Sequence, residues 1–119
     1  TKGSRAFLST FVHTYRRSGF RRNPLRQPCA YVLANKRSGT LYIGATSNII
    51  QRVWQHKNDF VPGFIRQHSI HRLVWYEALD RMESVITREK AIKGWKRAWK
   101  IELIEKSNSK WRDLYNDLA

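Results

Sequence analysis

Two short apolar runs separated by turn-forming residues mark the first regular structure along the chain. The runs are residues 30–34 and 40–44, and the segment 35–39 between them contains asparagine, serine and glycine. Two strands joined by such a turn form a β-hairpin, whose strands must run antiparallel. The pattern therefore predicts that the folded part begins with a hairpin.

Helical spacing of apolar residues follows the hairpin. After a capping segment at 46–48, an apolar stripe predicts a helix that ends at about Lys57. The stripe consists of Ile49, Ile50, Val53 and Trp54.

The second half of the chain predicts one more strand and further helices. Residues 71–79 contain a run of β-branched and aromatic residues typical of a strand. Apolar positions three to four apart then predict helices over 81–95 and 99–106, with a terminal helical turn within 109–118. The order β-β-α-β-α-α predicts an α+β fold in which helices flank a small three-stranded antiparallel sheet.

The long helix carries a carboxylate on its apolar side. Glu89 occupies a position on the stripe formed by Met82, Val85, Ile86, Ile92 and Trp95. Burying a carboxylate costs free energy unless it is paired or bound to a metal ion. The structural explanation is an ion pair with Arg52, Arg88 or Lys93, and the functional one is metal binding.

Other polar side chains are predicted to converge near the hairpin. Pairing its strands brings Tyr31 and Tyr42 nearly opposite each other, with both phenols on one face. Arg52 and His56 lie four residues apart and share a face of the next helix, while Gly44 permits a close backbone approach. Ordinary cross-strand packing and a solvated helix face are the structural alternatives.

The charge of the chain indicates a polyanionic partner. It has 23 Lys and Arg against 9 Asp and Glu, a net charge of +14 and a pI of about 10.6. This favours nucleic acid over an anionic membrane surface. Residues 1–28 contain seven of the cations and no acidic residue, which indicates a basic arm, either phosphate-binding, unfolded or an organellar leader. Residues 29–119 are then the folded domain.

The remaining composition excludes several classes of protein. Cys29 is the single cysteine, which excludes a disulfide framework and a multi-thiolate zinc site. No stretch approaches the ~20 apolar residues that span a bilayer, and no apolar block typical of a secretory signal is present. We therefore expect a cytoplasmic protein without a membrane partner, with organellar targeting by the arm left open.

Together these residues resemble the GIY-YIG nuclease family. Cys29-Ala30-Tyr31 stands at the place of the first tripeptide, Tyr42-Ile43-Gly44 reproduces the second, and the two tyrosines lie eleven positions apart. Arg52 follows on the next helix and Glu89 on a later one. The resemblance covers about residues 29–105 and is greatest to the small single-domain members. The first two residues of the first tripeptide depart from the usual ones, and the C-terminal asparagine of many relatives has no assigned counterpart.

The resemblance implies an endonuclease that hydrolyses phosphodiester bonds in DNA with Mg²⁺, for which Mn²⁺ can substitute. Glu89 would be the metal ligand, and Arg52 would stabilise negative charge on the phosphate. Tyr31 would deprotonate or orient the attacking water, with Tyr42 beside it, and nearby cations would have to favour the phenolate. His56 is a candidate proton relay or phosphate contact, since imidazole exchanges protons near neutral pH.

A basic run beside Glu89 is predicted to bind the DNA backbone in a salt-sensitive way, together with Gly44. The run consists of Lys90, Lys93, Lys96, Arg97 and Lys100. The tryptophans are expected in the core, and only an exposed one beside this run would be a candidate for base stacking. A non-catalytic nucleic-acid-binding module is the alternative function. The substrate structure, the oligomeric state and the pathway, with DNA repair and recombination among the options, stay open.

Overall fold

Three antiparallel strands form the centre of the fold. The computed structural model describes residues 27–58 and 69–118, so nearly all of the predicted basic arm lies outside the described residues. The strands are β1 (Cys29–Ala34), β2 (Leu41–Thr46) and β3 (Arg72–Ala78), in the order β2-β1-β3. Both pairings are antiparallel, which confirms the predicted α+β fold with a three-stranded antiparallel sheet.

The register of the hairpin corrects one expectation. Tyr31 pairs with Gly44, and Leu33 pairs with Tyr42. The two tyrosines are therefore diagonal neighbours rather than directly opposite residues. They still share one face, because positions two apart on a strand point to the same side of the sheet.

Four helices complete the described fold: α1 (Ile49–Lys57), α2 (Met82–Gly94), α3 (Arg97–Ser107) and α4 (Tyr115–Leu118). The side chain of Asn48 accepts a hydrogen bond from the Gln51 amide and so caps α1. The predicted end of this helix at Lys57 is confirmed. The third predicted helix begins at residue 97 rather than 99, directly after the extended residues Trp95 and Lys96.

The alternating residues of β1 supply two separate apolar layers. Ala30, Val32 and Ala34 face a layer that includes Val85 and Ile92 of α2 and Leu103 and Ile104 of α3. Cys29, Tyr31 and Leu33 belong to the opposite layer, which includes Ile49 and Val53 of α1. Helices α1 and α2 therefore cover opposite faces of the sheet. The expectation that Ile86 packs in the core is wrong, since it is exposed.

Residues after α3 cover the outer edge of β3. The Leu114 amide donates to the Leu73 carbonyl at 2.7 Å, and the Asp113 carboxylate accepts from the Leu73 amide at 3.2 Å. An edge strand presents unpaired backbone groups, and these contacts satisfy part of them. None of the helices in the described ranges is long and apolar enough to cross a bilayer.

Candidate active site

Three aromatic side chains with polar atoms meet on the α1 face of the sheet. The Tyr31 and Tyr42 ring centroids are 6.3 Å apart, and the His56 ring lies 6.1 Å from Tyr31 and 5.4 Å from Tyr42. Tyr31 and His56 are each 1% exposed, whereas Tyr42 is half-buried. We call these three residues the aromatic cluster.

Sequence spacing explains how His56 reaches this position. It follows Ile49 and Val53, the buried residues of α1, at the next position on the same side of the helix. The alternative of a solvated helix face is therefore wrong for His56. Arg52, one residue before Val53, is exposed at the edge of this face and makes no ion pair within the described residues.

Gly44 makes room for Tyr31. A Cβ atom added at Gly44 would lie 2.5 Å from both the Cζ and the hydroxyl oxygen of Tyr31. Such a distance is far inside van der Waals contact, so any larger residue would displace the phenol. The close approach expected at this glycine is thus made by the neighbouring tyrosine, and its contact with substrate stays a prediction.

Burial keeps the Tyr31 phenol protonated. The pKa of Tyr31 is raised, first by burial, then by the Tyr42 phenol and by the negative charge of Glu89, while the Arg52 guanidinium lowers it. Burial disfavours the charged form of a phenol. The expectation that nearby cations favour the phenolate is wrong for the protein alone, because burial outweighs the guanidinium.

His56 is neutral at physiological pH for a similar reason. Burial, followed by the positive charges of Arg52 and His71, lowers its pKa to about 4. The expectation of proton exchange near neutral pH is therefore corrected. Neither ring nitrogen has a hydrogen-bond partner among the described residues, and both are enclosed.

Glu89 is held by a lysine from the next turn of α2. Its carboxylate is 13% exposed and forms an ion pair with Lys93, and the hydrogen bond to Glu89 raises the pKa of Lys93. Of the three ion pairs considered from the sequence, this one is present. Arg88 instead donates to Glu77 of β3 at 2.8 Å, a partnership that the sequence analysis missed.

The single carboxylate of Glu89 suits a metal ion that keeps most of its water ligands. Within residues 27–58 and 69–118, no group of three or more His, Cys, Asp or Glu side chains could hold a metal. Mg²⁺ keeps most of its water and accepts one or two carboxylates plus substrate phosphate oxygens. The single carboxylate of Glu89 fits such an ion and does not fit a cage of protein ligands, and in the protein alone the Lys93 ammonium occupies this carboxylate.

The predicted basic run divides into residues with different contacts. Lys90 is exposed, Lys100 is half-buried, and Lys93 holds Glu89. The Lys96 ammonium lies 5.2 Å from the ring centroid of Trp99. Arg97 donates to the Ser38 and Gly39 carbonyls at 2.6 Å and so attaches α3 to the hairpin turn.

Asn108 is the buried asparagine near the C-terminal end, and its amide is fully used within the fold. Its Nδ2 donates to the Val74 and Arg112 carbonyls at 3.1 Å and 2.9 Å, and its Oδ1 accepts from the Arg112 amide at 2.9 Å. A side chain with this bonding is not available to position a substrate. Only the fold reveals this, because the sequence shows an ordinary polar position after a helix.

Comparison with known proteins agrees with the geometry. The family model of the GIY-YIG catalytic domain matches residues 27–102, well over half of the 119-residue chain, and its range includes the aromatic cluster, Arg52 and Glu89. No curated protein and no solved structure matches the chain. Proteins with this domain are nucleases that act on nucleic acid and generally depend on a divalent metal. The chain belongs to the GIY-YIG nuclease family.

Proposed function

We propose that this protein is a metal-dependent endonuclease that hydrolyses phosphodiester bonds in DNA with structural or weak sequence preference. The observation that carries the proposal is the buried aromatic cluster, whose two unpaired imidazole nitrogens lie beside two phenols. The charges of Arg52 and Glu89 both act on Tyr31. Buried polar groups without hydrogen-bond partners lower the free energy of unfolding. A bound reactant would supply the missing hydrogen bonds.

The aromatic cluster would position and deprotonate the attacking water. The neutral Tyr31 phenol is a hydrogen-bonding group that can orient a water molecule, and Tyr42, being less buried, can contact it from the solvent side. The protein alone lowers the pKa of His56 to about 4, and the negative phosphate of a bound substrate would raise it again, because an adjacent anion favours the imidazolium. In that complex a neutral imidazole nitrogen of His56 would accept the proton that the water loses as its oxygen attacks phosphorus. The ester bond then breaks, and the departing oxygen takes a proton from solvent.

Arg52 would bind the phosphate that is cut. Its guanidinium is exposed and forms no ion pair with the described carboxylates. It can therefore bind a phosphate group of the substrate. A planar and permanently charged group suits the non-bridging oxygens of a phosphoryl centre. The exposed cations Lys90 and Lys96 would add contacts to neighbouring phosphates, which makes binding weaken steeply with salt.

Glu89 would hold Mg²⁺, with Mn²⁺ as a substitute. Bound there, the ion would polarise the scissile phosphate and stabilise negative charge on the leaving oxygen. In the protein alone, the Lys93 ammonium neutralises the carboxylate. Release of Lys93 from Glu89 would give the basic run another cation for the DNA backbone.

A cleavage assay with matched carboxylate variants tests the proposal. Labelled single-stranded, duplex and flap DNA are incubated with Mg²⁺ or with EDTA, using wild type, Glu89→Gln and Glu83→Gln. Glu83 lies on the same helix, is 77% exposed and pairs with Arg81, so its amide variant controls for loss of one charge. We expect cutting only with Mg²⁺ and a loss of about 100-fold or more in Glu89→Gln alone.

Binding in EDTA separates catalysis from recognition. Glu89→Gln should bind DNA at least as well as wild type, since it removes a negative charge beside the phosphate path. A wild type that binds every DNA at low salt but cuts none would instead establish a non-catalytic binding module.

A further inference from the structure

Trp99 of α3 is exposed although tryptophan is expected in the core. It is 51% exposed, more than any other large apolar side chain in the described part of the chain. A single exposed apolar residue is ordinary on a protein surface. The surroundings of Trp99 are not ordinary, because they combine aromatic faces with several cations.

Positive charge is concentrated around this indole. The Lys96 ammonium lies 5.2 Å from the Trp99 ring centroid, and Lys100 follows Lys96 by one helical turn. Like charges at this spacing repel each other, and the first turn of α3 contains no acidic residue. The first turn of α3 is therefore complementary to a polyanion, and the exposed Glu102 lies one turn beyond Trp99.

Neighbouring side chains and hydrogen bonds also hold the Trp99 indole and the start of α3 in place. The Trp95 ring packs edge-on against it, with centroids 6.4 Å apart and planes at 77°, and the Arg88 guanidinium lies 5.5 Å from the Trp95 ring centroid. Arg97 attaches the start of α3 to the hairpin turn through two carbonyls. A side chain held in this way loses little conformational freedom when a ligand stacks on it.

We infer that Trp99, with Lys96 and Lys100, forms a stacking surface for an unpaired base of single-stranded DNA. The inference rests on the proposed function, since it names which part of the substrate contacts this surface. An aromatic face beside cations matches a nucleobase with its phosphates. In a duplex each interior base is covered on both faces by its neighbours, so only an unpaired base can stack on Trp99.

The stacking surface follows the proposed metal ligand closely along the sequence. Lys93 contacts Glu89 and precedes Lys96 by three residues. From Glu89 to the end of α2 at Gly94, the helix rises by roughly 8 Å. If an unpaired base of the strand that is cut beside Glu89 stacks on Trp99, flaps and single strands should be preferred to blunt duplex.

Equilibrium binding of the full chain in EDTA tests the inference without cleavage. Fluorescence anisotropy compares a labelled single strand with its duplex for wild type, Trp99→Ala, Trp99→Phe and Trp54→Ala. Trp54 is 47% exposed on α1 and serves as the matched control. We expect Trp99→Ala to weaken single-strand binding by about tenfold and duplex binding by less than about twofold, with Trp99→Phe close to wild type.

The outcomes separate this inference from the nuclease proposal. Equal weakening for both DNA forms, or equal weakening by Trp99→Ala and Trp54→Ala, overturns the stacking surface. A wild-type dimer that Trp99→Ala converts to a monomer in sedimentation would also overturn the stacking surface, because a second copy of the chain would then cover the indole. Normal Mg²⁺-dependent cutting with unchanged Trp99→Ala binding removes this inference alone. Selective loss of single-strand binding in a protein that cuts nothing removes the nuclease proposal and supports the stacking surface.

Discussion

Two buried polar side chains, Asn108 and His56, differ in how completely they are hydrogen-bonded. Asn108, between α3 and the C-terminal segment, uses both its amide nitrogen and its oxygen in three hydrogen bonds. His56, on the other side of the sheet, is also buried and has no partner for either ring nitrogen within residues 27–58 and 69–118. Native proteins bond nearly all buried polar groups, and each exception calls for an explanation. The comparison teaches that Asn108 is bonded within the fold, whereas His56 keeps the unsatisfied nitrogens on which the proposed function depends.

Glu77 and Glu89 are both paired, but their cationic partners differ in exposure to solvent. Glu77 is buried in β3 and has the Arg88 guanidinium at 2.8 Å, and Arg88 also stacks on Trp75 and Trp95. Glu89 has one surface lysine, whose side chain is 54% exposed. An ion pair that reaches solvent is worth little and is easily exchanged for another cation. Glu77 is thus enclosed with its partner, whereas the proposed metal ligand is paired with a cation that reaches solvent.

The largest expected effect is that of His56→Leu, which replaces the imidazole by an apolar side chain of similar size. Cleavage should fall by about 10²- to 10⁴-fold, the usual range for loss of a proton acceptor. The free energy of unfolding should stay equal or rise, because an unsatisfied buried polar group is removed. Single-turnover cleavage and urea unfolding measure the two quantities. A variant that is strongly destabilised and still active would reverse the assignment of His56.

A pH series sharpens the test on His56. Its pKa is about 4 in the folded protein and near 6.5 in an unfolded chain, so the unfolded chain binds the proton first. This contribution to stability is complete above about pH 6.5 and is lost as the pH falls from about 6.5 to about 4. Urea unfolding across this window should show a smaller decline in His56→Leu than in wild type. Identical declines would contradict the lowered pKa.

Asn108→Ala should do the opposite of His56→Leu. Loss of three buried hydrogen bonds should lower the free energy of unfolding by about 2–4 kcal/mol, while cleavage per folded molecule stays within about twofold of wild type. Asn116→Ala, at an exposed position of α4, is the matched control. Loss of activity in Asn108→Ala that exceeds its unfolded fraction would place Asn108 in the active site.

Gly44→Ala tests whether the aromatic cluster needs its present geometry. The added methyl group would displace the Tyr31 phenol, and small misplacements of reacting groups reduce rates by about 10- to 100-fold. Gly94→Ala is the control, since no heavy atom lies within 4 Å of its added Cβ. Cleavage rates of both variants, with circular dichroism to confirm folding, give the comparison. Wild-type activity in Gly44→Ala would show that Tyr31 acts only in packing.

The smallest effect is expected for Lys93→Met, which removes the cation that competes with metal at Glu89. Mn²⁺ binding measured by calorimetry should tighten by about two- to fivefold, in line with the modest strength of an exposed ion pair. Lys106→Met, also exposed on a helix, should leave metal binding unchanged. Weaker metal binding in Lys93→Met would mean that Lys93 supports the site rather than competing for it.

The sequence pattern was sufficient to predict the secondary-structure elements and to name most residues of the candidate site. Short apolar runs bounded by turn residues placed the three described strands, and helical spacing placed the main helices, because burial of one face imposes a period of 3.6 residues on a helix. The tripeptide at Tyr42 and the positions of Arg52 and Glu89 indicated the family. The protonation states were not predictable, since the pKa values of Tyr31 and His56 depend mainly on burial, which is a property of packing.

By itself, the sequence determined the order of elements, the strong positive charge and the residue types available for chemistry. The tertiary structure alone decided which of these residues meet, and in what state. It paired Glu89 with Lys93 and Arg88 with Glu77, enclosed His56 without a hydrogen-bond partner in the described part of the chain and left Trp99 exposed. Local propensity acts over a few residues, whereas desolvation and partner choice depend on side chains that are far apart along the chain and adjacent only after folding.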